Sequence, residues 1–412
     1  MSILKNEPVF EFKEGDYTKP HHIIVAGSYE EIGFDLATIA KNDYGCQLGI
    51  YDDPIYARGR KAYMEMHWPE MEERAKGVRK AYGLDDNDVV YDAYSLPFDW
   101  YDASTTGSLG GRNTCSHLVL PIEKSENGHM LTGRNYDMSP LPCWSVFLGK
   151  KPPEGAFGFA ERFVVLEIRP DKGYRSIRIG GNEILHPYTD NLNEKGLYVT
   201  VSHDPQSVGH EASPASGVKT TGISLPQLTN FLLDSCATVE EAKMKILENH
   251  LTQNLMNIHV MIADAGGNAT VFELGPKGDY FFTDRKASEP LFCTNHALSQ
   301  YPEPGTYPDF DINAGHNTFA RQLILRDAYA GLSAPFKKED VSALINSVHC
   351  SFVDANKCDS APMERTLVNT VCDLTDRELS VRWYLGDVKP VPGTNQMEDR
   401  MTDFYTLGFD DK

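Results

Sequence analysis

Cys115-Ser116-His117-Leu118-Val119-Leu120-Pro121-Ile122, then Glu126-Asn127-Gly128, then Gly133-Arg134-Asn135-Tyr136-Asp137 form the stretch on which the fold turns. Two strand-forming runs, 117–122 and 129–138, flank Asn127-Gly128, and Asn-Gly between such runs predicts a β-hairpin. Paired strands lie about 5 Å apart, so the return strand is expected to bring Arg134 and Asp137 beside Cys115. Residues 101–114, just ahead of the cysteine, are small, polar and glycine-rich, which is linker composition. A thiol that opens a strand after such a linker is the candidate nucleophile. The chain's eight cysteines include no CxxC pair and read as reduced thiols.

Upstream of the linker, residues 21–114 read as largely helical. Ser28-Tyr29-Glu30-Glu31 has the form of a capping box that opens one helix. A second helix is expected over 57–82, with Gly83 as its C-cap. Downstream, strands are expected at 163–168, 174–179 and 196–202. Helices follow over 224–249, divided by a second capping box at Thr238-Val239-Glu240-Glu241. Another hairpin joins 257–263 to 269–274, helices are expected over 318–329 and 338–347, and a late strand over 378–385. Strands, then helices, then strands argue for an α+β fold of antiparallel sheets with helices outside.

The cysteine and the Gly133-Arg134-Asn135-Tyr136-Asp137 run together resemble the choloylglycine hydrolase and penicillin acyltransferase group, whose pattern acid ceramidase shares. Asn193-Glu194-Lys195-Gly196-Leu197 is similar to a segment of the bile salt hydrolases. Thr294-Asn295-His296 resembles the group's Thr-Asn motif, and Asn317-Thr318-Phe319-Ala320-Arg321 its arginine near a helix start. Ala26-Gly27-Ser28-Tyr29-Glu30-Glu31-Ile32-Gly33 is similar to the opening helix of penicillin acyltransferase precursors.

The resemblance implies a cysteine N-terminal-nucleophile hydrolase with a four-layer αββα sandwich. It implies a helical pro-segment, 1–114, and a catalytic part, 115–412, that stay associated after the Thr114–Cys115 bond is cut. Cys115 would be nucleophile and cleavage site, its freed α-amine serving as base. The resemblance further implies that Asp137 orients that amine, Arg134 favours the thiolate, Asn295 serves the oxyanion and Arg321 supports the nucleophile from a second side. His203 falls where bile salt hydrolases carry an asparagine, so its backbone N–H is assigned to the oxyanion hole. Thr114 stands where penicillin acyltransferase has glycine. The implied reaction is cleavage of a linear amide of an N-acyl amide or amino-acid conjugate through an acyl-thioester, resolved by water or an amine. The alternatives are a cysteine peptidase on short peptides and an uncleaved binding protein. Relatives of this group suggest a homo-oligomer by analogy.

A net charge of -20 disfavours nucleic acid and anionic lipid as partners. No apolar run approaches the roughly 20 residues of a membrane helix. The first residues lack the apolar core of a signal peptide, so a cytoplasmic protein is expected. His129, His203 and His296 lack metal-ligand spacing, and neither metal nor cofactor is expected. Tyr136, Trp144 and Phe157 are candidate pocket aromatics.

Overall fold

The computed structural model describes residues 3–98, 114–142, 151–152, 154–158, 160–204, 221–252, 258–275, 278–308, 318–351 and 364–409. The linker over 101–113, together with Trp144 and Asn317, lies outside them.

Two large sheets dominate. The first has nine strands in the order β1-β2-β5-β6-β7-β8-β9-β10-β11. In chain order these are β1 (Ile3–Pro8), β2 (His21–Gly27), β5 (Val164–Pro170), β6 (Ser176–Gly180), β7 (Asp190–Asn193), β8 (Tyr198–His203), β9 (Ile258–Ala263), β10 (Ala269–Leu274) and β11 (Tyr280–Asp284). Neighbours are antiparallel except β2 and β5, which run parallel from His21 opposite Val164 to Gly27 opposite Pro170. The second sheet has the order β12-β3-β4-β13-β14-β15, with β16 also on β14. Its members are β3 (Thr114–Val119), β4 (Leu131–Met138), β12 (Leu291–Cys293), β13 (Arg365–Asp373), β14 (Glu378–Pro390), β15 (Met397–Met401) and β16 (Tyr405–Gly408).

Three cores make the layering. Cys115, Val119, Tyr136, Val165, Ile177, Tyr198, Met261 and Trp383 pack between the sheets. The outer face of the nine-stranded sheet packs on α1 (Tyr29–Asp43), α2 (Pro54–His67), α3 (Pro69–Tyr82), α4 (Leu225–Ser235) and α5 (Val239–Leu247). The outer face of the other sheet packs on α6 (Thr318–Ala330) and α7 (Lys338–Asn346). The result is the expected αββα sandwich. β3 and β4 are buried along their whole length because they are covered on both faces.

Local chemistry explains most boundaries. Ser28 and Glu31 cap each other at α1, as do Thr238 and Glu241 at α5. The single helix expected over 57–82 is two, because Pro69 forces Trp68 out of helical conformation. Gly83 ends α3 with φ 71°, a left-handed cap. The segment before Cys115 is helical over α1–α3, as expected. It also supplies β1 and β2, since the branched run Ile23-Ile24-Val25 favours an extended chain buried in the sheet. The β3–β4 connection is longer than a tight hairpin. Asn127 (φ 56°) and Gly128 (φ 70°) sit within a 3₁₀ turn, Glu126–Gly128. Among the described residues no helix is long and apolar enough to cross a membrane.

Candidate active site

Cys115 is the second residue of β3 and is only 1% exposed. Alternation along the strand turns its side chain into the core between the sheets. Directly across the pairing, His117 faces Arg134 and Cys115 faces Tyr136. Arg134 Nη2 lies 3.5 Å from Cys115 Sγ. That guanidinium is fully buried and anchored on the opposite sheet. It donates to Asp190 Oδ2 at 2.8 Å and to the Val201 carbonyl at 2.8 Å. Its face stacks on Tyr136, 4.8 Å from the ring centre. The cation is thus fixed by one sheet and presented to a thiol on the other.

The main chain of Cys115 is held from the helix side. Its N–H donates to Asn295 Oδ1 at 2.9 Å, and its carbonyl accepts from Arg321 Nη1. Arg321 also donates to Ser116 Oγ at 2.7 Å and to Asn295 Oδ1 at 2.6 Å. Asn295 therefore takes two donors on one oxygen, while its Nδ2 donates to the His203 carbonyl at 2.6 Å. Its own N–H donates to Thr318 Oγ1 at 2.8 Å, tying the segment to the first turn of α6.

Asp137 lies next to Cys115, but its carboxylate is engaged elsewhere. It pairs with Thr114 across the hairpin; its main-chain N–H lies on the Cys115 thiol, while its carboxylate goes to Thr366 on the helix-facing side. The physical reason is parity: Arg134 and Asp137 are an odd number of residues apart on one strand, so they cannot share a face. Asn135, on the same face as Asp137, reaches the Ile345 carbonyl of α7. Asp137 Oδ1 accepts from Thr366 Oγ1 at 2.6 Å, and Oδ2 has no hydrogen bond. In the uncut chain the Cys115 N–H thus goes to Asn295 and not to Asp137.

Burial sets the electrostatics. It raises the Cys115 thiol above its ordinary pKa; Arg134 and Arg321 pull the other way without winning, and Asp137 adds to the rise. Burial also lifts Asp137 to about 6, only partly offset by Arg321 and the Thr366 hydroxyl. His117, which shares the inner face, is held well below its usual range by burial and then by Arg134.

The structure brings Thr114, Cys115, Arg134, Asp137, Asn295, Arg321 and the His203 carbonyl into one region. Asp190 is an unforeseen member: it anchors Arg134 and accepts from the Tyr198 hydroxyl. The only hint in the sequence was a carboxylate at an inward position of a buried strand. The Asn193-Glu194-Lys195-Gly196-Leu197 motif proves to be the turn between β7 and β8. Asn193 Oδ1 accepts the N–H groups of Lys195 and Leu197, and Gly196 has φ 85°. Of the aromatic candidates, Phe157 is exposed and Tyr136 is buried against Arg134. Two clusters of histidine and carboxylates form among the described residues: His129 with Asp373 and Asp376, and a buried set of Asp204, His259 and Glu273.

An αββα sandwich with a cysteine at the head of a central strand is the architecture of the cysteine N-terminal-nucleophile hydrolases. The chain belongs to the acyl-coenzyme A:6-aminopenicillanic acid acyl-transferase family, whose model matches residues 123–385. That span holds Arg134, Asp137, His203, Asn295 and Arg321; Thr114 and Cys115 precede it. Membership makes the chain an enzyme of amide cleavage or the related acyl transfer. Similar solved structures include a single-residue variant of conjugated bile acid hydrolase from Clostridium perfringens, at 15% identity and TM-score 0.48, covering 72% of this chain and 97% of that one. Penicillin V acylase from Agrobacterium tumefaciens matches at 16% identity and TM-score 0.39, covering 65% and 83%. The Caenorhabditis elegans orthologue of N-acylethanolamine-hydrolyzing acid amidase matches at 12% and 0.39, covering 63% and 93%. No curated protein matches the sequence.

Proposed function

We propose that the chain is a self-processing amidase or amide N-acyltransferase whose nucleophile is Cys115. The observation that carries this is the grip on one residue: Arg134 on its sulfur, Asn295 on its nitrogen and Arg321 on its carbonyl oxygen. In the uncut chain that sulfur is a buried, neutral thiol whose own nitrogen is an amide without basicity. Cleavage would change this. Sγ adds to the Thr114 carbonyl carbon, the Thr114–Cys115 C–N bond breaks, and the nitrogen takes up the thiol proton. Water then hydrolyses the thioester, leaving a Thr114 carboxylate, a free thiol and a primary amine. An α-amine titrates at about 7.7–8.0 and a thiol at about 8.5, so the new amine can take the thiol proton near neutral pH.

Substrate chemistry repeats the sequence. Sγ attacks the carbonyl of a linear N-acyl amide, the amine leaves with a proton, and the acyl-thioester passes to water or to an acceptor amine. Arg134 favours the thiolate, and Asn295 Oδ1, already on the Cys115 nitrogen, orients the released amine. The Asn295 amide and the His203 N–H are assigned to the oxyanion, which requires Asn295 Nδ2 to leave the His203 carbonyl. Asp137, with one unpartnered oxygen beside Thr114, is assigned to the cleavage step.

Intact-mass analysis should find fragments 1–114 and 115–412, and Cys115→Ala should stay whole and inert towards a panel of N-acyl amides. A Cys115→Ala protein that still turns over the panel would refute the assignment.

A further inference from the structure

Behind the Asn295 segment lies a charged group that the proposed chemistry does not use. His259 on β9, Glu273 on β10 and Asp204 just after β8 all turn towards the inter-sheet space and are buried. His259 Nδ1 is 3.0 Å from Glu273 Oε1, and its Nε2 is 3.3 Å from Asp204 Oδ2. One ring therefore bridges two carboxylates from opposite edges. The contacts are close but off the line of a good hydrogen bond, the geometry of an ion pair. Burial alone would discharge the imidazole; Asp204, then Cys293, outweigh it and keep the ring protonated well above its ordinary pKa. The three residues also offer ligand atoms within 4.8 Å of one another, but each ring nitrogen already has a carboxylate oxygen at 3.0 or 3.3 Å.

The outer ends of this bridge meet the nucleophile's support on two sides. Glu273 accepts the main-chain N–H of Leu298 at 2.6 Å and of Ser299 at 2.9 Å, the turn immediately after Asn295-His296-Ala297. Asp204 follows His203, whose carbonyl accepts from Asn295 Nδ2. We propose that Asp204, His259 and Glu273 form a buried ionic strut that positions Asn295, and through it the nitrogen of Cys115. They are positioning residues, with no contact to the reacting atoms. The inference rests on the functional reading above, since it gives Asn295 a partner whose placement controls a rate.

The test uses self-cleavage, which needs no substrate. The full chain is made by cell-free translation, and the fragment 115–412 is followed by intact mass as a first-order process. Glu273→Gln keeps the shape and removes the charge; it should slow cleavage about tenfold, within the usual range of coupling between contacting residues. In an Asn295→Ala background the same change should alter the rate less than about twofold, because the residue it acts through is gone. Hydrogen exchange at Leu298 and Ser299 should rise in Glu273→Gln. An equal slowing in both backgrounds, or no slowing, overturns the strut while leaving Cys115 as nucleophile. A wild-type chain that never cleaves defeats the functional reading and the strut with it. Should Glu273→Gln fail to fold, Asp204→Asn carries the same cycle with the same expected outcomes.

Discussion

Asn295 and Asp137 show how much a single polar atom is asked to do here. Asn295 Oδ1 receives both the Cys115 N–H and Arg321 Nη2. Asn295→Ala would leave a buried N–H and a buried guanidinium short of an acceptor, at a cost of about 1–3 kcal/mol in stability. Self-cleavage should fall by about 10²–10³, the scale of losing one preorganised polar group at a reacting centre. A chain that cleaves at the wild-type rate would remove Asn295 from the machinery. Asp137 gives a pH signature. Its buried carboxyl titrates near 6 in the fold, above the ordinary carboxylate, so the folded state binds the proton more tightly. The resulting stability is fully present below about pH 4 and is lost as pH rises through 6. In a Cys115→Ala background, which holds the chain uncut, Asp137→Asn should therefore raise the melting temperature at pH 8 by the equivalent of up to about 3 kcal/mol. The gain should vanish near pH 4. A gain independent of pH would mean that the carboxyl is not the titrating group.

Between elements, α1 and α3 approach each other backbone to backbone. A Cβ on Gly77 would lie 2.0 Å from the Glu30 carbonyl oxygen, and one on Gly33 would lie 2.1 Å from that of Arg74. Backbone meets backbone there, so no side chain can yield. Gly77→Ala should cost about 1–3 kcal/mol or more, the cost of overpacking, readable as a shift in the denaturation midpoint with an unchanged slope. Neither glycine announces this in the sequence, where each looks like a weak point within a helix. Caps, by contrast, were legible, because Ser28, Thr238 and Gly83 act on neighbours a few residues away. The hairpin that pairs Cys115 with the Arg134 strand was legible too, from two runs around Asn-Gly. The facing of Asp137 was readable from strand parity alone. Asp190, Asp204, His259 and Glu273 were not. Each is a polar residue at an inward position on or just after a strand, and its partner comes from another strand or sheet that no local pattern specifies.

For the molecule as a whole, the question is what would hold the two pieces together if the bond ahead of Cys115 is cut as proposed. The early segment is woven into the fold. β2 pairs with β5 over its whole length, and α1–α3 share one core with α4, α5 and the nine-stranded sheet. A buried polar knot joins them. Asp234 of α4 accepts from Arg74 of α3 at 2.7 and 2.8 Å, from Trp68 Nε1 at 2.9 Å and from Arg178 of β6 at 2.7 Å. Burial pushes Asp234 up, but Arg74 and Arg178 win and hold it well below the ordinary carboxylate range. A depressed pKa gives stability that is present above the unfolded value and lost only as pH falls through the folded one. The processed pieces should therefore co-elute in size-exclusion chromatography from neutral pH down to about pH 4, and separate in strong denaturant. Asp234→Ala would strand two buried guanidinium groups, one on each side of the cut. Breaking such a pair from one side costs about 3–5 kcal/mol, enough to let fragment 1–114 dissociate on dilution. The contrasting Asp284→Ala, which breaks an exposed pair with Lys243, should leave co-elution intact. Free passage of 1–114 away from an otherwise folded wild-type 115–412 would show that the shared sheet does not survive the cut.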